Sequence, residues 1–205
     1  MSDSLITKKA IASSIKELMK KKDLQKISVS DITEHCGINR QTFYYHFKDK
    51  YDLVNWIYYN EVVTAVVHNS NPLSWSGVML EVLTDMQKEK HFYMNALSVT
   101  GQNAFQDYFF EMTKQRLLGI LDFIAENTDS DGRMSDLKMI PQEDKDFIAE
   151  FFAYGIVGIA VQWARGGMRQ PPEEIIRRMS YLIHNVDFFT PLEDCFPNPA
   201  DLPEA

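Results

Sequence analysis

The sequence predicts an all-α protein, a three-helix N-terminal head followed by a larger helical body. Apolar residues recur at helical spacing along most of the chain, and strand-like alternation is almost absent. Capping residues stand just ahead of several of these apolar runs. Polar breaks separate the runs, with "NSNP" at 69–72, "NTDSDGRMSD" at 127–136 and "RGGMRQPP" at 165–172.

The first helix is expected over 5–22. Leu5, Ile11, Ile15, Leu18 and Met19 line one face, and Lys8, Lys9, Lys16 and Lys20 lie largely outside it. Ser28 can cap the amide of Asp31 while Asp31 reaches back, which is a capping box. The short helix it opens turns Ile32 and Cys36 inward. Gly37 ends it, because glycine tolerates the left-handed conformation at that position. Asn39 can cap a third helix running to about Phe47, and Asp49 a long fourth one over 50–68. Further helices are expected over 74–89, 91–99, 102–127, 142–166 and 172–189. The prolines at 171–172 suit a helix start. The tail "PLEDCFPNPADLPEA", 191–205, is rich in proline and acid and reads as a flexible end. This divides the chain into a head over 1–50, a regulatory and dimerisation body over 51–190, and the tail.

Composition narrows the function classes. Two distant cysteines, Cys36 and Cys195, fit a reducing compartment rather than a disulfide framework, and the expected location is the cytoplasm. No signal peptide is visible. The most apolar stretch, 147–164, carries Glu150 and Gln162 and reads as a core or interface helix rather than a membrane span. The net charge of -8 speaks at first against nucleic acid. Its distribution reverses that. Residues 1–50 hold ten Lys/Arg against six Asp/Glu, a net of +4, and the remaining 155 residues hold eleven against twenty-three, a net of -12. A basic head on an acidic body can engage phosphates with the head alone.

Helix, glycine turn, helix within 28–47 is helix-turn-helix geometry, whose second helix enters the DNA major groove. At about 100° per residue, Arg40, Gln41, Tyr44, Tyr45 and Lys48 share an arc of about 140°, and Phe43 and Phe47 point away from it. Arg40 and Gln41 lie at the N-terminal end, where arginine can read guanine O6/N7 and glutamine adenine N6/N7. Tyr44 offers a hydroxyl to a phosphate. The ammonium of Lys50 and the adjacent amides are expected to form a phosphate site.

The stretch "ISVSDITEHCGINRQTFYYHFKDKYDL", 27–53, resembles the TetR-type helix-turn-helix in Ser28, Val29, Ile32, Gly37, Thr42, Phe43, Tyr44, His46, Phe47, Lys50 and Leu53. Thr33 and Cys36 stand where that family has small residues, and Asn39 replaces its usual serine cap. The resemblance implies a two-fold dimer with an all-helical ligand-sensing body. It also implies DNA contacts at Ser30, Arg40, Gln41, Thr42, Tyr44, His46 and Lys50. The wheel adds Tyr45.

The motif covers about a quarter of the chain, so the body is read from its own residues. Gly155 and Gly158 interrupt an apolar helix, and each costs about 1 kcal/mol against alanine. Close helix approach explains such a cost. Gly155, Gly158, Ile159, Met179 and Ile183 are therefore the candidate dimer contacts. G-x-x-G with the following Trp163 looks like one TetR body subgroup, which includes the activator of a dihydroxyacetone kinase operon. A ligand pocket needs apolar lining with a few polar tips. Its candidates are Trp56, Tyr59, Phe92, Tyr93, Phe105, Phe109 and Trp163.

Other signals fail. Residues 127–138 imitate a calcium loop, but Lys138 stands where a bidentate glutamate belongs. The five histidines show no HExxH spacing, and His91 reads as a cap or surface residue. No GxSxG, P-loop or GxGxxG is present. No enzyme, cofactor or metal is expected. The expected partners are double-stranded operator DNA, a second copy of the chain, and a small-molecule effector or, alternatively, a protein co-regulator. The function that the resemblance implies is a dimeric DNA-binding regulator of the TetR type, by analogy a repressor whose operator binding a small-molecule effector modulates. The alternative is an activator or regulator whose body binds a protein co-regulator.

Overall fold

Side-chain caps fix the helix boundaries of the head in the computed structural model, which describes residues 3–65, 75–101, 104–127 and 141–185. Helix α1 spans Asp3–Met19, and a short 3-10 turn, Leu24–Lys26, connects it onward. Helix α2, Val29–Cys36, opens on the full capping box between Ser28 and Asp31. It closes on Gly37 at φ 72°, the left-handed conformation that glycine adopts without a Cβ clash. Asn39 accepts from the Thr42 amide and starts α3, Arg40–His46. Asp49 accepts from the amides of Tyr51 and Asp52 and starts α4, Lys50–Tyr58.

The box has a titration signature. The hydroxyl and amide of Ser28, with Lys22 beyond, pull the Asp31 carboxyl down to about 2. Its contribution is therefore full above the ordinary carboxylate range and is lost as the pH falls toward that value. Ser28→Ala is expected to move the Asp31 titration upward toward an ordinary aspartate, read by NMR. An unmoved titration would show that the box is not what holds it.

The long fourth helix expected over 50–68 departs from plan after Tyr58. A π turn, Tyr59–Val63, follows it directly. There the Thr64 amide reaches back five residues to the Tyr59 carbonyl. Thr64 Oγ1 bonds the Asn60 carbonyl at 2.5 Å, and Asn60 Nδ2 bonds the Trp56 carbonyl at 2.9 Å. Side chains thus take up carbonyls that one extra residue displaces from the α pattern.

The body adds α5 (Trp75–Lys88), α6 (Lys90–Ser98), α7 (Phe105–Asn127), α8 (Gln142–Arg165) and α9 (Pro172–Asn185). No strand forms among the described residues. The break at 69–72, the tail 191–205, nearly all of the calcium-like loop and the Ile183 side chain lie outside what is described. Helices α7 and α8 form the most extensive helix pair, tied at their edges by Lys114–Glu150 at 2.7 Å and Lys145–Asp122 at 2.8 Å. Helix α8 is long and apolar enough by composition to cross a bilayer. One side of it, from Ala149 to Ala164, is buried against the rest of the body. The turn into α9 is built tightly. Gly167 and the buried Met168 both take positive φ, and the Trp163 indole donates to the Gln170 carbonyl at 2.9 Å.

One continuous apolar cluster joins head and body. In the head Ile11, Ile15, Leu24, Ile27, Ile32, Phe43 and Leu53 are fully buried, each worth about 1.5–3 kcal/mol of apolar transfer. Cys36, expected inward, is only half-buried, and burial pushes its thiol pKa up. In the body Tyr58 stands at the centre of an edge-on aromatic group with Tyr93, Phe105, Tyr108 and Phe109, ring centroids 5.3–6.4 Å apart. Burial raises the pKa of both Tyr58 and Tyr93.

Candidate nucleic-acid interface

Helix α3 is two turns long, and its packing divides its residues cleanly. Phe43 and Phe47 are buried, and the Phe47 ring meets Trp56 of α4 edge-on at 5.7 Å. Arg40, Gln41, Tyr44, Tyr45 and Lys48 are exposed. These five are the residues that share the outward arc of the wheel. The structure leaves Tyr44 50% and Tyr45 82% exposed, large areas for residues that normally bury their rings. Arg40 and Tyr44 form a local pair. The guanidinium lies 5.9 Å from the Tyr44 ring centre and 3.4 Å from its hydroxyl. This preorganises both tips on the same side of the helix.

Thr42 and His46 lie on the flank and are half-buried. The Thr42 hydroxyl donates to Asn39 Oδ1 at 3.0 Å, and the His46 ring packs edge-on against Tyr45 at 4.9 Å. Ser30 is half-buried in the first turn of α2, and its carbonyl accepts from the Thr33 hydroxyl. The residues grouped from sequence as DNA contacts therefore form a front row of Arg40, Gln41, Tyr44 and Tyr45, with Ser30, Thr42 and His46 at its edge.

Lys50 does not join them. Its ammonium donates to the carbonyls of Leu24, Gln25 and Ile27 at 2.7, 2.9 and 2.7 Å. All three N–H donors are used. The amides beside it are also occupied, since Asp49 holds those of Tyr51 and Asp52. The phosphate site expected there is filled by protein groups, and Lys50 is corrected to a bolt between α4 and the α1–α2 connection. Desolvation lowers its pKa while Asp31 and Asp49 oppose that. The exposed cation at this end of α3 is Lys48, whose amide is held by Asp52 Oδ2 at 2.9 Å.

The ligand set also needs correction. The body cavity measures about 80 Å³ and lies between α4, α5 and α7, lined by Tyr58, Trp75, Met79, Phe109, Thr113 and Arg116 among others. Of the seven aromatics expected around a ligand, only Phe109 lines it. Phe92, Tyr93 and Phe105 are sealed in the core. Trp56 packs toward the head, and Tyr59 is exposed. Trp163 pins the α8–α9 turn and also lines the open groove between those helices. All are large apolar groups at helical spacing, and the sequence does not distinguish packing from lining.

The dimer set divides too. Met179 is buried in its own chain. Gly155, Gly158 and Ile159 lie on the exposed side of α8. A Cβ added at Gly155 or Gly158 would meet nothing within 4 Å. Packing among the described residues therefore does not explain either glycine. Around them, Phe147, Phe151 and Tyr154 of α8 are 59–70% exposed, and Tyr181 of α9 is 63% exposed. A groove of about 670 Å³ runs between the two helices past Tyr154, Gly155, Gly158, Gln162 and Arg169.

Comparison with known proteins follows the same division. Residues 11–57 match the family described as "Bacterial regulatory proteins, tetR family", and residues 74–185 match "Transcriptional regulator C-terminal region". The chain is 33% identical over 159 residues to the "HTH-type dhaKLM operon transcriptional activator DhaS" of Lactococcus lactis subsp. lactis (strain IL1403), covering 78% of this chain and 80% of that one. A solved structure of a dihydroxyacetone kinase operon activator DhaS superposes with TM-score 0.63 at 26% identity, covering 87% and 94%. Native NalD, the secondary repressor of the MexAB-OprM multidrug efflux pump in Pseudomonas aeruginosa, superposes with TM-score 0.55 at 18% identity over 87% and 94%, a likeness of fold.

Proposed function

The chain belongs to the TetR family of bacterial transcriptional regulators, and on that premise we propose that it acts in the cytoplasm as a homodimer whose two α3 helices read successive major grooves of an operator. The observation that carries this is the exposed front row of α3 on a helix whose other face is fully packed. Arg40 and Gln41 are assigned to base edges, and Tyr44, Tyr45 and Lys48 to phosphates or thymine methyls. Ser30, Thr42 and His46 are flanking contacts. The dimer is assigned to the α8–α9 face, where aromatics and helix glycines stand open together.

The small size of the apolar cavity enclosed by the described residues supports regulation through a protein co-regulator over a small-molecule effector. Ligand pockets occupy about 300–1,000 Å³, several times the apolar cavity that the described residues enclose between α4, α5 and α7; the larger hollows are open surface grooves. The sign proposed with it is activation, as in the name of the L. lactis relative. Repression released by an effector is the competing reading, and it needs the cavity to expand on binding. No catalytic role is assigned.

Selection from random duplex DNA tests the reading head. The wild-type chain is expected to return a two-fold motif. Arg40→Ala is expected to lose preference at one base per half-site, with about 1–3 kcal/mol less discrimination there. Identical motifs from both proteins would remove Arg40 from base reading.

A further inference from the structure

The geometry points to Asn95 as the residue by which the body positions the reading heads. The inference rests on the dimeric operator-binding reading above and adds a residue to which the sequence assigned no role. Asn95 lies on α6, in the body, and its side-chain amide serves three main-chain groups of the head. Its Oδ1 accepts from the Leu24 amide at 2.8 Å, and its Nδ2 donates to the carbonyls of Lys22 at 3.0 Å and Met19 at 3.3 Å. One donor and two acceptors face it, so the amide has one satisfying orientation.

What Asn95 holds is the connection between α1 and α2. That connection has no helix of its own beyond the 3-10 turn, so the polar groups that its own turns leave unpaired need outside partners. Body and head each supply some of them. Asn95 takes Met19, Lys22 and Leu24, and Lys50 takes Leu24, Gln25 and Ile27. Lys50 opens α4, with Phe47, Lys48 and Asp49 between it and the end of α3. A displacement of α6 is therefore carried through residues 19–27 to the end of the reading helix, without passing through the aromatic core.

A second strap runs alongside. Lys16 of α1 pairs with Glu61 in the π turn and lies 3.7 Å from Glu89, which precedes α6. Its ammonium also stands 5.6 Å from the Phe92 ring centre. The Lys16 side chain is 14% exposed but those of Glu61 and Glu89 are 44% and 47% exposed, so water screens these pairs in part. Asn95 and Lys16 fix both the tilt and the spacing of each head relative to its body.

In a dimer, head position appears as the distance between half-sites. Removing the clamp frees that distance without touching the side chains that read bases. The experiment is selection from random duplex DNA with the full-length dimer. Wild type is expected to return one half-site sequence at one spacing. Asn95→Ala is expected to return the same half-site sequence at two or more spacings. Lys16→Met carries the same expectation and serves if Asn95→Ala fails to fold by circular dichroism. A variant that merely unfolded the head would lose the half-site sequence itself. A single unchanged spacing in a folded variant would overturn the assignment of Asn95 and Lys16, whereas failure of wild type to select any motif would overturn the DNA-binding reading beneath it.

Discussion

Gly158→Leu is expected to convert the dimer to a monomer while leaving the single chain folded, or even firmer. Among the described residues nothing stands within 4 Å of a Cβ at this position, and its backbone is ordinary α-helix. Leucine there should raise helix stability by about 0.7 kcal/mol relative to glycine. Against a second helix seated in the same groove, the leucine has no room. The two signs separate the readings. Were Gly158 simply a solvent-facing residue, the variant would melt higher and remain unchanged in mass. If a partner copy packs on it, light scattering at micromolar concentration should report half the mass. Operator affinity should then fall by about 100-fold or more, because each head binds without the effective concentration of the other. A dimer of undiminished mass in Gly158→Leu would move the interface off this face of α8.

The parts of the molecule legible in its sequence are those set by local rules. Ser28, Asn39 and Asp49 cap the helices they were expected to cap, because capping depends on three or four consecutive residues. The division of α3 into Phe43 and Phe47 inside and Arg40, Gln41, Tyr44 and Tyr45 outside follows from 3.6-residue periodicity alone. What depends on distant residues was not legible. The π turn at 59–63 is accompanied by side-chain bonds from Asn60 and Thr64 to nearby carbonyls, and no propensity marks it. Phe92, Tyr93 and Phe105 become core rather than pocket lining because three helices close over them. Asn95 is a single half-buried asparagine until the fold brings a loop more than seventy residues away against it. Met179 could pack in its own chain or on a partner, and only the fold shows the former.

Lys50→Ala should act on the stability of the head and leave the salt dependence of DNA binding nearly as it was. A lysine opening a helix beside a reading helix invites the opposite expectation, that its removal lowers the salt slope by about one unit. The three carbonyl bonds decide between them. A lysine that neutralised a phosphate would need a donor to give, and the Lys50 donors are held by Leu24, Gln25 and Ile27. Deleting them leaves three carbonyls, two of them part-buried, without their charged donor. Hydrogen bonds from a charged group are worth about 1.5–3 kcal/mol each in the general case, and water can reach the exposed side of this site. A loss of about 2–4 kcal/mol for the set is therefore expected, enough to lower the melting temperature of the head by several degrees. Lys48→Ala provides the contrast. Its ammonium is exposed at the end of the reading helix, so its removal should leave the melt unchanged and lower the salt slope by about one unit. A salt titration in which Lys50→Ala lost the unit of slope and Lys48→Ala did not would return the phosphate to Lys50, and would mean that the bolt opens when DNA arrives.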